Sequence, residues 1–330
     1  MGTSTERAGV GPDALVLGVR EDLLRVDEAI AVALQAVGPL TGEVAVHLLQ
    51  AGGKRLRPAL VLMAGGCAGA DPAALIPVAA AAEIVHMATL VHDDMVDGSG
   101  LRRGTPTVHA KWGEATGVLA GDYLFARGFT MLAETGNNRV VRIMADVVSR
   151  MCAGEIRELS EQWQACDEAA YLDRIDAKTA YFIAECCRLG AVAAGAPARV
   201  EEALAAYGSA VGLSFQITDD LLDLTGSAEA LGKPAGADLR AGVVTLPVIH
   251  ALHHAPEADE ILSMLAARRV DDDEVERVRD IAERAGSVSY ARTRAVELAR
   301  EAQARLVGLP ASVARDTLSS LAAYLVERSA

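Results

Sequence analysis

Aromatic residues are scarce, with four Phe, six Tyr and two Trp in 330 residues. Strand formers are thin outside scattered Val, while Ala and Leu dominate. That shortage argues against a sheet protein, and the composition favours helix. Positive charge is also in deficit: 31 Lys and Arg stand against 45 Asp and Glu, a net charge of −14. A nucleic-acid partner, which needs a basic footprint, is therefore not expected. A small anion is not excluded, because a few clustered cations can outvote the global charge locally. Paired cysteines are missing too. Cys67, Cys152, Cys166, Cys186 and Cys187 make no C-x-x-C pair and no zinc-like His/Cys spacing, so they read as reduced core thiols of a cytoplasmic protein. Residues 1–12 lack the apolar core of a signal peptide and read as a frayed, disordered terminus. No membrane span is expected either: the most apolar long stretch, Ala73 to Val91, is interrupted by Pro77, Glu83 and His86 and reads as a buried helix.

Fixed-period repeats, low-complexity tracts and linkers are likewise absent, so residues 13–330 read as one all-α domain of about a dozen helices. Helical periodicity recurs over Leu15–Leu34, Glu43–Leu49, Pro58–Met63, Ala73–Val96, Gly117–Ala133, Val140–Glu161, Tyr171–Ala194, Arg199–Leu224, Val243–His253, Val275–Gly286 and Ser289–Leu306. Gly38-Pro39, Asp71-Pro72, Gly136-Asn137-Asn138 and Gly308-Leu309-Pro310 punctuate the joints.

Two acidic motifs stand out, Asp93-Asp94-Met95-Val96-Asp97 and Asp219-Asp220-Leu221-Leu222-Asp223, each D-D-x-x-D. Residues four apart share a helical face, so Asp93 with Asp97 and Asp219 with Asp223 form carboxylate pairs that repel unless a cation sits between them. Both motifs are placed near helix C-termini, where the macrodipole disfavours negative charge. Apolar neighbours, Leu90-Val91 and Phe215-Gln216-Ile217, set these acids apart from a solvated face. Oxygen-only ligands in such a setting suit Mg²⁺, which keeps several waters and is commonly shared with phosphates. Asp271-Asp272-Asp273-Glu274 provides the contrast: it precedes a helix, where negative charge is favoured, and needs no function.

Cations gather at two places. Gly52-Gly53-Lys54-Arg55-Leu56-Arg57-Pro58 puts three of them before a helix N-terminus, an arrangement that fits either a basic surface loop or a held anion such as diphosphate. Leu101-Arg102-Arg103-Gly104 follows the first acidic motif, and Arg suits bidentate contact with phosphate oxygens. His86 lies seven residues before Asp93 and shares its face, as a packed core residue or as part of a site.

Taken together, Gly52–Pro58, Asp93–Asp97, Arg102-Arg103, Lys178-Thr179, Phe215-Gln216 and Asp219–Asp223 resemble the ordered signature of trans-isoprenyl (polyprenyl) diphosphate synthases. The resemblance covers roughly residues 50 to 250. It implies an all-α isoprenoid-synthase fold around a deep central cavity, a homodimer, and two or three Mg²⁺ per active site. It implies condensation of isopentenyl diphosphate onto an allylic diphosphate by head-to-tail elongation. By this resemblance Asp93, Asp97, Asp219 and Asp223 are metal ligands, supported by Asp94 and Asp220. Lys54, Arg57, His86 and Arg103 hold isopentenyl diphosphate; Arg102, Lys178, Gln216 and Lys233 hold the allylic diphosphate, with Thr179 near the reacting carbons. Asp93, Asp94, Asp97, Lys178, Thr179, Asp219 and Asp220 form the catalytic set. One departure stands out: where the family commonly has Gly-Lys-x-Thr, this chain reads Gly242-Val243-Val244-Thr245.

Ala88 and Thr89 lie about one turn, ~5.4 Å, before Asp93 on the same helix. Short-chain members of the family often place bulky aromatics there, so small residues imply a medium- or long-chain polyprenyl product, one that a membrane can receive. A short-chain geranylgeranyl or farnesyl diphosphate synthase is the alternative. A class I terpene cyclase would not need Lys54, Arg57 or the second full acidic motif. A metal phosphohydrolase would leave the Gly52–Pro58 loop unexplained, and a non-catalytic subunit of a heteromeric synthase would lack intact acidic motifs.

Overall fold

The computed structural model describes residues 17–35, 38–50, 52–226 and 235–327. These residues are almost entirely helical, as the shortage of strand formers implies. In chain order the helices are α1 (Arg20–Ala33), α2 (Pro39–Gln50), α3 (Leu56–Cys67), α4 (Pro72–Val96), α5 (Val108–Trp112), α6 (Glu114–Glu134), α7 (Asn138–Glu161) and α8 (Glu168–Ile175). After a π-helical turn at Asp176–Ala180 come α9 (Tyr181–Ala193), α10 (Ala198–Thr225), α11 (Ala237–Arg240), α12 (Leu246–His254), α13 (Ala258–Ala267), α14 (Asp272–Arg284), α15 (Ser287–Leu306) and α16 (Val313–Glu327). This exceeds the expected dozen, because α5, α11, α13 and α16 carried no recognised periodicity. The only strands among the described residues are β1 (Leu101–Arg102) and β2 (Thr105–Pro106), an antiparallel pair.

The chain divides into two compact units, both discontinuous in sequence. The first comprises Met1–Ala145, Cys186–Glu202 and Leu309–Thr317; the second comprises Asp146–Glu185, Ala203–Gly308 and Leu318–Ala330.

In the first unit α4 is the central element, packed against α1, α3 and α6. Its start is fixed by Asp71, whose Oδ1 accepts from the Ala73 N–H at 2.9 Å, and by Pro72 at the first position. It ends at Asp97, followed by Gly98 with φ +62°. Leu75, Val78 to Val85, Ala88 and Val91 are all buried, so the helix is apolar nearly all round. It is the one helix among the described residues that is long and apolar enough to cross a membrane by length and composition, and 72% of its apolar window is buried in the protein. α6 approaches it closely through glycine: a Cβ at Gly121 would lie 2.1 Å from the His92 ring.

The second unit has its own core of Tyr171, Ile217, Leu221, Leu246, Ile249, Ile261, Val278, Ile281, Ala291 and Ala295. Here the acidic run Asp271–Glu274 forms a capping box on α14: Asp271 Oδ1 accepts from the Glu274 N–H at 3.0 Å, and Glu274 Oε2 from the Asp271 N–H at 2.9 Å. That run is accounted for by helix capping.

Candidate active site

In the first unit the cation-rich segment forms a bent loop entering α3. Gly52 has φ +62°, and Arg55, the residue capping α3, takes the left-handed conformation at φ 50°, ψ 33°. Arg55 is turned inward: its Nε donates to Asp27 Oδ1 at 2.8 Å, and its Nη1 to Glu83 Oε1 at 2.9 Å. Arg103, itself at φ 53°, donates through Nη1 to the Gly52 carbonyl and so ties the β1–β2 ribbon to this loop. The adjacent arginines thus diverge. Arg102 Nε donates to Asp94 Oδ1 at 2.6 Å on α4.

His86 sits within the electrostatic reach of all these cations. Burial holds its imidazole well below the ordinary histidine value, and the charges of Arg57, Arg103, Arg102 and Arg55 push it the same way. It is a neutral side chain inside a cationic cluster. Burial also pulls the Arg57 guanidinium down, with Glu83 and Asp93 working against it. An anion entering here would meet the positive field of four guanidiniums, two of which, Arg55 and Arg102, are already paired with carboxylates.

The first acidic motif occupies the C-terminal end of α4. Asp93 is half-buried, Asp97 is exposed at the helix C-cap, and Asp94 is buried against Arg102. Burial raises the Asp94 carboxyl, opposed by its bond to Arg102. One turn back, Ala88 is fully buried and Thr89 nearly so, the Thr89 hydroxyl donating to the His86 carbonyl at 2.8 Å.

The second unit carries the other acidic motif, near the end of α10. Asp219 is exposed. Asp220 is 5% exposed and accepts from the Tyr171 hydroxyl at 2.7 Å and from Gln216 Nε2 at 2.8 Å. Burial pushes its carboxyl up to about 6 despite those two bonds. Asp223 is 6% exposed, and its Oδ2 accepts from the Asp238 N–H at 3.0 Å. Within one motif, then, one carboxylate is exposed and two are buried.

Lys178 and Thr179 lie in the π-helical turn, a conformation frequent at functional sites. The Lys178 ammonium meets Glu158 Oε1 at 2.5 Å and Glu155 Oε2 at 3.1 Å. Burial works to lower it, and the two carboxylates outweigh burial, so it stays charged. The turn is held from two sides by small residues: a Cβ at Gly154 would lie 3.0 Å from the Ala177 side chain, and one at Gly212 2.5 Å from the Ala180 backbone. Arg174, 4% exposed, donates to the Val244 carbonyl at 2.5 Å beside Val243. Lys233 lies outside the described residues.

Sequence reasoning passed over Glu83, Glu155, Glu158, Tyr171 and the inward turn of Arg55. Glu83 had a signal, since it is a lone acid in an apolar helix, and a buried charge must be paired. Glu155 and Glu158 are spaced to share a face of α7, but nothing local names Lys178 as their partner.

The donors fit a hard divalent cation. Both acidic motifs offer carboxylate oxygen only, and no three His, Cys, Asp or Glu side chains among the described residues converge to hold an ion unaided. An ion here would complete its shell with water and substrate oxygens, as Mg²⁺ does.

The chain is similar to known proteins in sequence and in fold. The Polyprenyl synthetase family model matches residues 39–282. The heptaprenyl diphosphate synthase component 2 of Geobacillus stearothermophilus is 44% identical over 93% of this chain and 96% of its own length. The octaprenyl diphosphate synthase of Escherichia coli is 34% identical over 93% and 96%. The crystal structure of a polyprenyl synthase from Caulobacter crescentus, complexed with calcium and isoprenyl diphosphate, superposes with a TM-score of 0.91 at 38% identity, covering 98% of this chain and 100% of that one. With its acidic motifs, arginine cluster and all-α architecture, this chain belongs to the polyprenyl synthetase family.

Proposed function

We propose that this protein is a prenyltransferase that lengthens an allylic diphosphate with isopentenyl diphosphate, giving a medium- or long-chain all-trans polyprenyl diphosphate. The observation that carries the reading is the pairing of opposite charge sets in one unit. Four arginines surround neutral His86, and the Asp93–Asp97 carboxylates stand on the same helix. One set suits a diphosphate and the other a divalent cation.

Bound at the acidic motifs, Mg²⁺ would neutralise charge growing on a departing diphosphate. The chain's own groups do the rest. Lys54, Arg57 and Arg103 grip the isopentenyl diphosphate, with neutral His86 beside them. Arg102, Lys178, Gln216 and Lys233 serve the allylic diphosphate, and Glu155 and Glu158 keep the Lys178 ammonium charged and oriented. The C1–O bond of the allylic substrate breaks and its electron pair leaves with pyrophosphate. The isopentenyl double bond then attacks C1, held close by its own diphosphate. A proton leaves the new unit to the released pyrophosphate. Val243 brings no cation to this task, which places more of it on Lys178 and Lys233.

Product length rests on Ala88 and Thr89, small and buried one turn before Asp93, and on the heptaprenyl and octaprenyl synthases among the relatives. Mg²⁺ as the ion, a single catalytic domain, a homodimeric state and a cytoplasmic location complete the proposal. A heteromeric assembly is the second reading, favoured by the name of the Geobacillus relative, which is one component of its synthase. The test is to incubate the pure chain with Mg²⁺, labelled isopentenyl diphosphate and several allylic primers, and to size the products. A polyprenyl ladder from the chain alone supports catalysis without a second component; products that appear only when a partner is added favour the heteromer.

A further inference from the structure

The three cations of the Gly52–Pro58 loop do not act alike. Arg55 is consumed internally: its guanidinium spans Asp27 on α1 and Glu83 on α4, and both bonds are short. Its backbone is left-handed, a conformation a non-glycine residue keeps only when its surroundings hold it. Glu83 supplies that hold from the interior. It is 4% exposed, and a carboxylate so buried needs a partner to stay charged. The fit around it is close. A Cβ placed at Gly53 would sit 3.4 Å from Glu83 Oε1, 3.4 Å from Arg55 Nη1 and 3.3 Å from Arg103 Nη1. Arg103 closes the assembly by donating to the Gly52 carbonyl. Lys54 and Arg57 flank Arg55 in the chain, so holding Arg55 against Asp27 and Glu83 constrains the loop backbone that presents both of them. Glu83 also lies one helical turn before His86 on α4, which registers the loop against the rest of the cluster.

We propose that Glu83 is a positioning residue for the isopentenyl diphosphate half-site: through Arg55 it fixes the loop that presents Lys54 and Arg57, without touching substrate itself. This rests on the function proposed above. It predicts an effect confined to one of the two substrates, because the residues that serve the allylic diphosphate are held by other carboxylates: Arg102 by Asp94, Lys178 by Glu155 and Glu158, and Gln216 by Asp220.

The experiment is steady-state kinetics on the purified full chain, with isopentenyl diphosphate varied at saturating farnesyl diphosphate and then the reverse. Glu83→Gln keeps the shape and removes the charge. It is expected to raise KM for isopentenyl diphosphate at least ~10-fold, as small misplacements of a binding group do, and to leave KM for farnesyl diphosphate within about twofold. Arg55→Gln should reproduce that rise, and the double variant should be no worse than either single one, since the two residues act as a unit. A KM for isopentenyl diphosphate that stays unchanged in Glu83→Gln, a parallel rise for both substrates, or additive effects in the double variant would each overturn the inference. If neither single variant folds, Glu83 is simply structural and the inference falls. A wild-type chain that forms no prenyl product removes the functional reading itself, a result distinct from any of these.

Discussion

The two acidic motifs have identical spacing and different surroundings. In the first, Asp93 is half-buried and Asp97 exposed, and the intervening Asp94 is matched by a cation, Arg102 at 2.6 Å. In the second, only Asp219 is exposed; Asp220 is matched by neutral donors, Tyr171 and Gln216, and Asp223 by a backbone N–H. A charged partner stabilises a carboxylate as an anion more strongly than a hydroxyl and an amide do. Burial therefore leaves Asp220 at about 6, a carboxyl that takes up a proton in mildly acidic solution. The same five-letter pattern thus sets its middle carboxylate against a guanidinium in one unit and against a hydroxyl and an amide in the other.

The largest expected effect falls on the first aspartate of each motif. Asp93→Ala and Asp219→Ala should each lower kcat by roughly 10²–10³-fold or more, the scale of losing one preorganised electrostatic contact, with thermal unfolding little changed. Near-normal turnover in either variant would remove that motif from the proposed metal site.

Stability should separate the middle aspartates. Asp220→Ala strands the buried Tyr171 hydroxyl and the Gln216 amide, at a cost of about 2–4 kcal/mol. Asp94→Ala leaves a half-buried Arg102 that can reach water, and should cost about 1 kcal/mol. Denaturant midpoints compare the two directly. Equal losses would mean that the difference in partners has no energetic consequence.

A pH profile sharpens the same contrast. The folded Asp220 carboxyl lies at about 6 against an ordinary 3.8, so the native state binds its proton more tightly than the unfolded chain does. In metal-free buffer this group's contribution is fully present below about pH 4 and is lost as pH rises through about 6. Asp220→Asn should flatten stability across that window. A slope unchanged in the variant would assign the titration elsewhere.

The smallest change concerns product, not rate. Ala88→Phe should shorten the polyprenyl chain, at an overpacking cost of about 1–3 kcal/mol because Ala88 is fully buried. Product sizing by chromatography reads the first, and thermal melting the second. An unchanged ladder removes Ala88 from length control.

Much of this was legible in the sequence, and the limits are physical. α4 was readable because its ends are written locally, Asp71-Pro72 at one and Asp97-Gly98 at the other, around a long apolar run. The helix expected over Tyr171–Ala194 is broken by the π-helical turn that carries Lys178 and Thr179, because one inserted residue per turn leaves apolar periodicity nearly intact. The ribbon at Leu101–Pro106 has two-residue strands, too short to show alternation. Both acidic motifs were visible as patterns, but what each carboxylate is bonded to was not. Tyr171 lies 49 residues from Asp220, and Glu83 lies 28 from Arg55. Such pairings are made by tertiary packing and leave no local mark.

The central claim is that the acidic motifs act through divalent cations on a diphosphate leaving group during carbon–carbon bond formation. Its most direct test is a Mg²⁺ titration of the purified chain that counts pyrophosphate released against isopentenyl units incorporated. The account predicts one pyrophosphate per unit added, and neither event in excess chelator. Phosphate or pyrophosphate released without incorporation, or incorporation that persists without divalent metal, would contradict it.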